Sequence, residues 1–136
     1  MSAARFLIDT SGLFRILQKE HRAAWADFMA AGVIAICPVV ELEFLYSARS
    51  LADRLHKRRL LREVFAWVPM SDRACERADE VQQRLTERGA HRSAGPVDLL
   101  IAATAERSGL IVLCDDRDFE AVSAVTGQPV RRVASV

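Results

Sequence analysis

A chain of 136 residues, 51% hydrophobic and 27% charged, is long enough for one domain with a substantial core and too apolar to be disordered. A formal net charge of +1 excludes a global electrostatic grip on nucleic acid, so any such contact must use local basic patches. The longest nearly unbroken apolar run, Gly32 to Val40, contains a proline and is far short of a membrane span, and Met1 to Asp9 lacks a leader's long apolar region. The expectation is a cytoplasmic protein with no membrane partner. Cys37, Cys75 and Cys114 are odd in number, lack zinc-ligand spacing and are expected to stay reduced.

In chain order, Arg5 to Ile8 reads as a short apolar strand ending at the capping residues Asp9-Thr10-Ser11-Gly12. Helices are predicted from Gly12 to Gln18 and from His21 to Ala31. Val33 to Cys37 is β-branched and apolar on both faces, as a parallel strand requires. Pro38 opens a helix to about Ser47 or Arg49, and Ser50 caps a long basic helix from Leu51 to Phe65. Val68 marks a short third strand before Pro69. Ser71 caps a further helix that stops at Gly89. After a loop, Pro96 opens a helix closed by Gly109. Leu110 to Cys114 is a strand, Asp115 to Asp118 a turn, Phe119 to Thr126 a helix, and Val130 to Val133 an edge strand. Strands alternating with helices predict an α/β fold: a three-layer α/β/α sandwich around a mainly parallel sheet of four to five strands, in one domain spanning residues 1–136.

Such folds bind ligands where strands end and helices begin, and the acids of this chain fall there. Asp9 closes the first strand, and Asp116 and Asp118 follow the strand ending at Cys114. Asp98 begins a helix whose face continues as Ile101, Ala102 and Ala105, so a carboxylate heads a buried stripe. Glu41 repeats that pattern, with Phe44, Leu45 and Ala48 behind it. Glu43 is rotated by roughly 200° from Glu41 and is expected to point elsewhere, which selects Glu41 as the site acid. Singly, each acid has an alternative role as a helix cap. Together, converging carboxylates without a basic neighbour repel one another, and a divalent cation relieves that; an all-oxygen donor set suits Mg2+ or Mn2+.

Phe6-Leu7-Ile8-Asp9-Thr10-Ser11, Glu41-Leu42, Val97-Asp98-Leu99-Leu100-Ile101-Ala102-Ala103 and Asp116-Arg117-Asp118-Phe119, in that order, resemble the motifs of the PIN-domain ribonucleases, specifically the VapC-type toxins of toxin–antitoxin pairs. The resemblance implies a metal-dependent endoribonuclease with Asp9, Glu41, Asp98 and Asp116 as catalytic and metal-binding acids. Asp118 becomes a supporting acid, and Thr10 or Ser11 an orienting hydroxyl. It also implies an RNA substrate, a homodimer and a small cognate antitoxin that covers the site. Cys114 stands where many members carry Thr, which removes a hydroxyl that could orient water.

Candidate contacts to RNA or antitoxin are basic. Arg54, Arg58 and Arg62 share one helical face, Arg15 lies beside Asp9, and Arg92 sits in the loop before Asp98. A solvated face paired with acids is the competing role for each. Other functions also remain open. Asp9 is placed for an aspartyl-phosphate mechanism of the phosphatase or receiver kind, but Ser11 stands where such phosphatases carry a second acid, and no Lys follows Lys57. A PIN-fold binding module without activity is the non-catalytic alternative.

Overall fold

A computed structural model describes residues 3–135 of the chain. Its sheet has five strands: β1 (Phe6–Ile8), β2 (Ile34–Ile36), β3 (Ala66–Trp67), β4 (Ile111–Cys114) and β5 (Val130–Arg132). Their order is β3-β2-β1-β4-β5, and every neighbouring pair is parallel. Strands that are buried on both faces need apolar residues throughout. Accordingly, every residue of β1 and β2 is buried, as are Val112, Leu113 and Cys114 of β4.

The helices are α1 (Thr10–Ile16), α2 (Lys19–Ala30), α3 (Pro38–Tyr46), α4 (Leu51–Val64), α5 (Asp72–Glu87), α6 (Pro96–Ser108) and α7 (Glu120–Thr126). Helix α5 packs on α6 and α7, whereas α1 packs on α2 and α3, and α3 on α4. This is the three-layer sandwich predicted, with five parallel strands at its centre. Helix α6 is the most deeply set, with Leu99 and the run Ile101 to Ala105 buried. Gly109 ends it at φ 67°, a left-handed conformation that favours glycine. Trp25 anchors the far end of the core: its ring meets Phe6 edge-on at 5.7 Å, and its Nε1–H donates to the Val133 carbonyl at 2.9 Å. Among the described residues, no helix is long and apolar enough to cross a membrane.

One strand sits earlier than expected. Pairing registers Ala35 with Ala66 and Ile36 with Trp67, so β3 begins two residues before Val68. The Val68 N–H then donates to the Ile36 carbonyl at 2.9 Å, and Pro69, with no N–H, cannot extend the ladder.

The strand order carries the functional consequence. From β1 the chain winds outward through β2 to β3, then returns to place β4 on the other side of β1. The reversal falls between β1 and β4, and the crevice outside their carboxyl ends is where this architecture receives ligands.

Candidate active site

At that crevice Asp9 follows β1 and caps α1. Its Oδ1 accepts the Gly12 N–H at 2.7 Å, and Ser11 Oγ lies 2.8 and 2.9 Å from the two carboxylate oxygens. Asp9 is only 3% exposed. Burial pushes its carboxyl up to about 7 against the opposing pull of Gly12 and Ser11, and Asp116 and Asp98 raise it further. Asp98, in the first turn of α6, is half-buried and accepts the Gly95 N–H at 3.3 Å. Burial pushes it up to about 6, with the charges of Asp118, Asp116 and Glu43 adding to the shift. Asp116 follows β4, and its Oδ1 accepts the Asp118 N–H at 3.0 Å. Burial, then Asp116, raises the Asp118 carboxyl above its ordinary value.

These four aspartates, with Thr10, Ser11 and Glu43, line a cleft of about 360 Å³ beside the N-terminus of α6. Among the described residues, no basic side chain lines it. Two larger hollows lie elsewhere. One, of about 600 Å³, is lined by Arg77 with its ion-pair partners Glu80 and Glu106; the other, of about 660 Å³, runs between α2 and α4. Neither contains a buried acid, so the smaller cleft is the chemically distinctive one.

Glu41 is not in it. The inward stripe expected behind Glu41 exists, and Val40, Glu41, Phe44 and Leu45 are the buried side of α3. That side faces α4, where Arg62 takes the Glu41 carboxylate bidentately, Nε to Oε1 at 3.1 Å and Nη2 to Oε2 at 3.3 Å. The Glu43 carboxylate instead lies against α1, accepting the Thr10 hydroxyl at 2.7 Å. Facing the core and facing the cleft are different directions here, and the rotation that set Glu43 aside carries it to the cleft. A signal was available in the sequence: only two acids occupy an otherwise apolar helix, and the basic helix that follows supplies a partner for one of them.

Two basic candidates are also committed within the fold. Besides Glu41, Arg62 lies over the Trp67 ring at 5.1 Å. Arg15 pairs with Asp115, Nε to Oδ2 at 2.9 Å. Arg54 and Arg58 are exposed on α4, and Arg92 is exposed in the loop before α6. Cys114 is buried; burial first, then Asp9 and Asp116, pushes its thiol up to about 12, so it stays protonated and donates to the Asp116 carbonyl at 3.6 Å.

Asp9, Asp98 and Asp116 offer the oxygen donors a hard divalent cation takes. Among the described residues, no three acid, His or Cys side chains stand gathered closely enough to coordinate an ion as they are.

Comparison with known proteins bears on the family and the fold. The family model for the PIN domain matches residues 6–125. Ribonuclease VapC21 of Mycobacterium tuberculosis is 38% identical over 131 residues, covering 96% of this chain and 95% of the relative. Ribonuclease VapC2 of the same species is 38% identical over 136 residues, covering 98% and 95%. Among solved structures, DNA-bound VapBC from Salmonella typhimurium superposes with a TM-score of 0.76 at 19% identity, covering 96% of this chain and 98% of that one. The chain therefore belongs to the PIN-domain family, among its VapC-type members.

Proposed function

We propose that this chain is a metal-dependent endoribonuclease, the toxin of a toxin–antitoxin pair, which hydrolyses RNA phosphodiester bonds at the carboxylate cleft. The observation that carries the reading is the cleft itself: buried Asp9 and half-buried Asp98 face Asp116 and Asp118 with no basic side chain among them. The names of curated relatives, Ribonuclease VapC21 and Ribonuclease VapC2 among them, support the choice of RNA. The titles of VapBC complexes among the structural neighbours support an antitoxin partner.

Asp9, Asp98 and Asp116 hold Mg2+ or Mn2+, with Glu43 in the place expected of Glu41. A divalent ion supplies, when bound, a water of lowered pKa and a counter-charge for phosphoryl oxygens. The protein's own part is orientation. Gly12 and Ser11 fix the Asp9 carboxylate, Gly95 fixes Asp98, and the Thr10 hydroxyl turns Glu43 toward the cleft. Asp118 supports Asp116 through its backbone N–H. Of the basic candidates, Arg92, Arg54 and Arg58 are the exposed ones left to meet RNA or antitoxin. The working unit is a homodimer in the cytoplasm.

The test is cleavage of total RNA by the purified, partner-free chain. Cleavage in Mg2+ or Mn2+ that EDTA stops and Asp98→Asn abolishes, with the variant's circular dichroism unchanged, is the expected result. Wild-type cleavage by that variant, or cleavage undiminished in EDTA, overturns the reading.

A further inference from the structure

Asp115 belongs neither to the cleft lining nor to the acids proposed for the site, yet the fold holds it from three sides. Its N–H donates to Ser11 Oγ at 3.0 Å, the hydroxyl that also contacts Asp9. Its carbonyl accepts Arg132 Nη2 from β5 at 2.8 Å. The Oδ2 of its carboxylate meets Arg15 Nε from α1 at 2.9 Å, an ion pair off the hydrogen-bonding direction, since Arg15 Nε lacks a hydrogen-bond partner. The Asp115 side chain is 19% exposed and that of Arg15 37%, so the pair is partly shielded from water. The residue so fixed immediately precedes Asp116, which carries no comparable anchor beyond its contacts to Cys114 and Asp118.

We propose that Arg15 and Asp115 are positioning residues, an ion-pair bracket that ties the turn after β4 to α1 and sets Asp116 opposite Asp9. The inference rests on the ribonuclease reading above for its catalytic consequence, and on the bracket alone for its structural one. It reassigns Arg15: a guanidinium engaged with Asp115 serves the acid site, not the RNA. Charge at position 15 then matters for turnover rather than for substrate affinity. The bracket also explains why an acid adjoins an already acidic site: Asp115 is neutralised locally by Arg15, so it adds no uncompensated charge to the cleft.

The experiment uses Arg15→Met, which keeps much of the aliphatic stem, and Arg15→Lys, which restores the charge. Two readouts are taken: kcat and KM for RNA cleavage, and hydrogen exchange of the 114–119 segment without RNA or metal. Arg15→Met is expected to lower kcat by about ten- to a hundredfold with KM unchanged, as displaced catalytic groups do, and to speed exchange in 114–119; Arg15→Lys recovers most of both. A raised KM with a flatter salt dependence, or unchanged exchange in 114–119, overturns the proposal. If wild-type protein leaves RNA intact, the ribonuclease reading fails, while the exchange comparison still decides the bracket.

Discussion

Glu41 and Glu43 are two residues apart on one helix and have opposite surroundings. Glu41 is nearly buried and its charge is matched by Arg62; Glu43 is exposed at the cleft and held by a hydroxyl. An acid whose charge is already matched gains less from a cation than one that only accepts a hydroxyl from Thr10. Glu43→Gln is therefore expected to lower RNA-cleavage turnover by about 10- to 100-fold, the usual effect of losing a group that supports a metal site. Glu41→Gln is expected to leave turnover near wild type and to lower the melting temperature, because α3 and α4 lose their ion pair. Steady-state kinetics of the two variants decide between them. The opposite ranking returns the site to Glu41.

At the scale of elements, the site depends on how closely α1 starts behind β1. Gly12 permits that closeness. A Cβ there lies 2.7 Å from the Leu113 carbonyl oxygen, 2.9 Å from Ile8 Cγ1 and 3.2 Å from Asp9 Oδ1. The Leu113 carbonyl also accepts the Asp9 N–H at 3.0 Å, so it cannot withdraw without loosening the β1–β4 junction. Gly12→Ala should cost about 1–3 kcal/mol in urea denaturation, as overpacking does; wild-type stability contradicts the packing account. The elements themselves were legible from sequence because their patterns are local: β-branched runs for the strands, Pro38 and Pro96 at helix starts, Ser50 and Ser71 as caps. So was the gathering of acids at one sheet edge, which follows from alternation alone. What periodicity could not supply was which neighbour each side chain meets. The α3 stripe correctly found the buried face, but the Arg62 opposite it comes from 21 residues further on. Likewise Arg15 was a candidate contact to RNA or antitoxin beside Asp9, and only the return of β4 brings Asp115 to it.

For the whole molecule, the cleft is a charge problem that protons or a cation can relieve. Burial pushes the Asp9 carboxyl up to about 7 and that of Asp98 up to about 6 in the native protein, both above the ordinary 3.8. Between those values the native state binds more protons than the unfolded chain. The stabilisation is therefore fully present below about pH 4 and is lost as pH rises through 6 and 7. Other carboxylates oppose this at the acid end, so the window that isolates the cleft lies between about pH 5 and pH 8. A cation bound by the ionised carboxylates adds stability where protons no longer do, since a ligand that binds only the native state raises its melting temperature. The most direct measurement is the melting temperature of metal-free protein at about pH 5 and pH 8, with and without Mn2+, for wild type and Asp98→Asn. The account predicts a fall from pH 5 to pH 8 without metal, recovery by Mn2+ at pH 8 in wild type, and a smaller fall with little recovery in Asp98→Asn. A melting temperature that is flat across this window and indifferent to Mn2+ contradicts it.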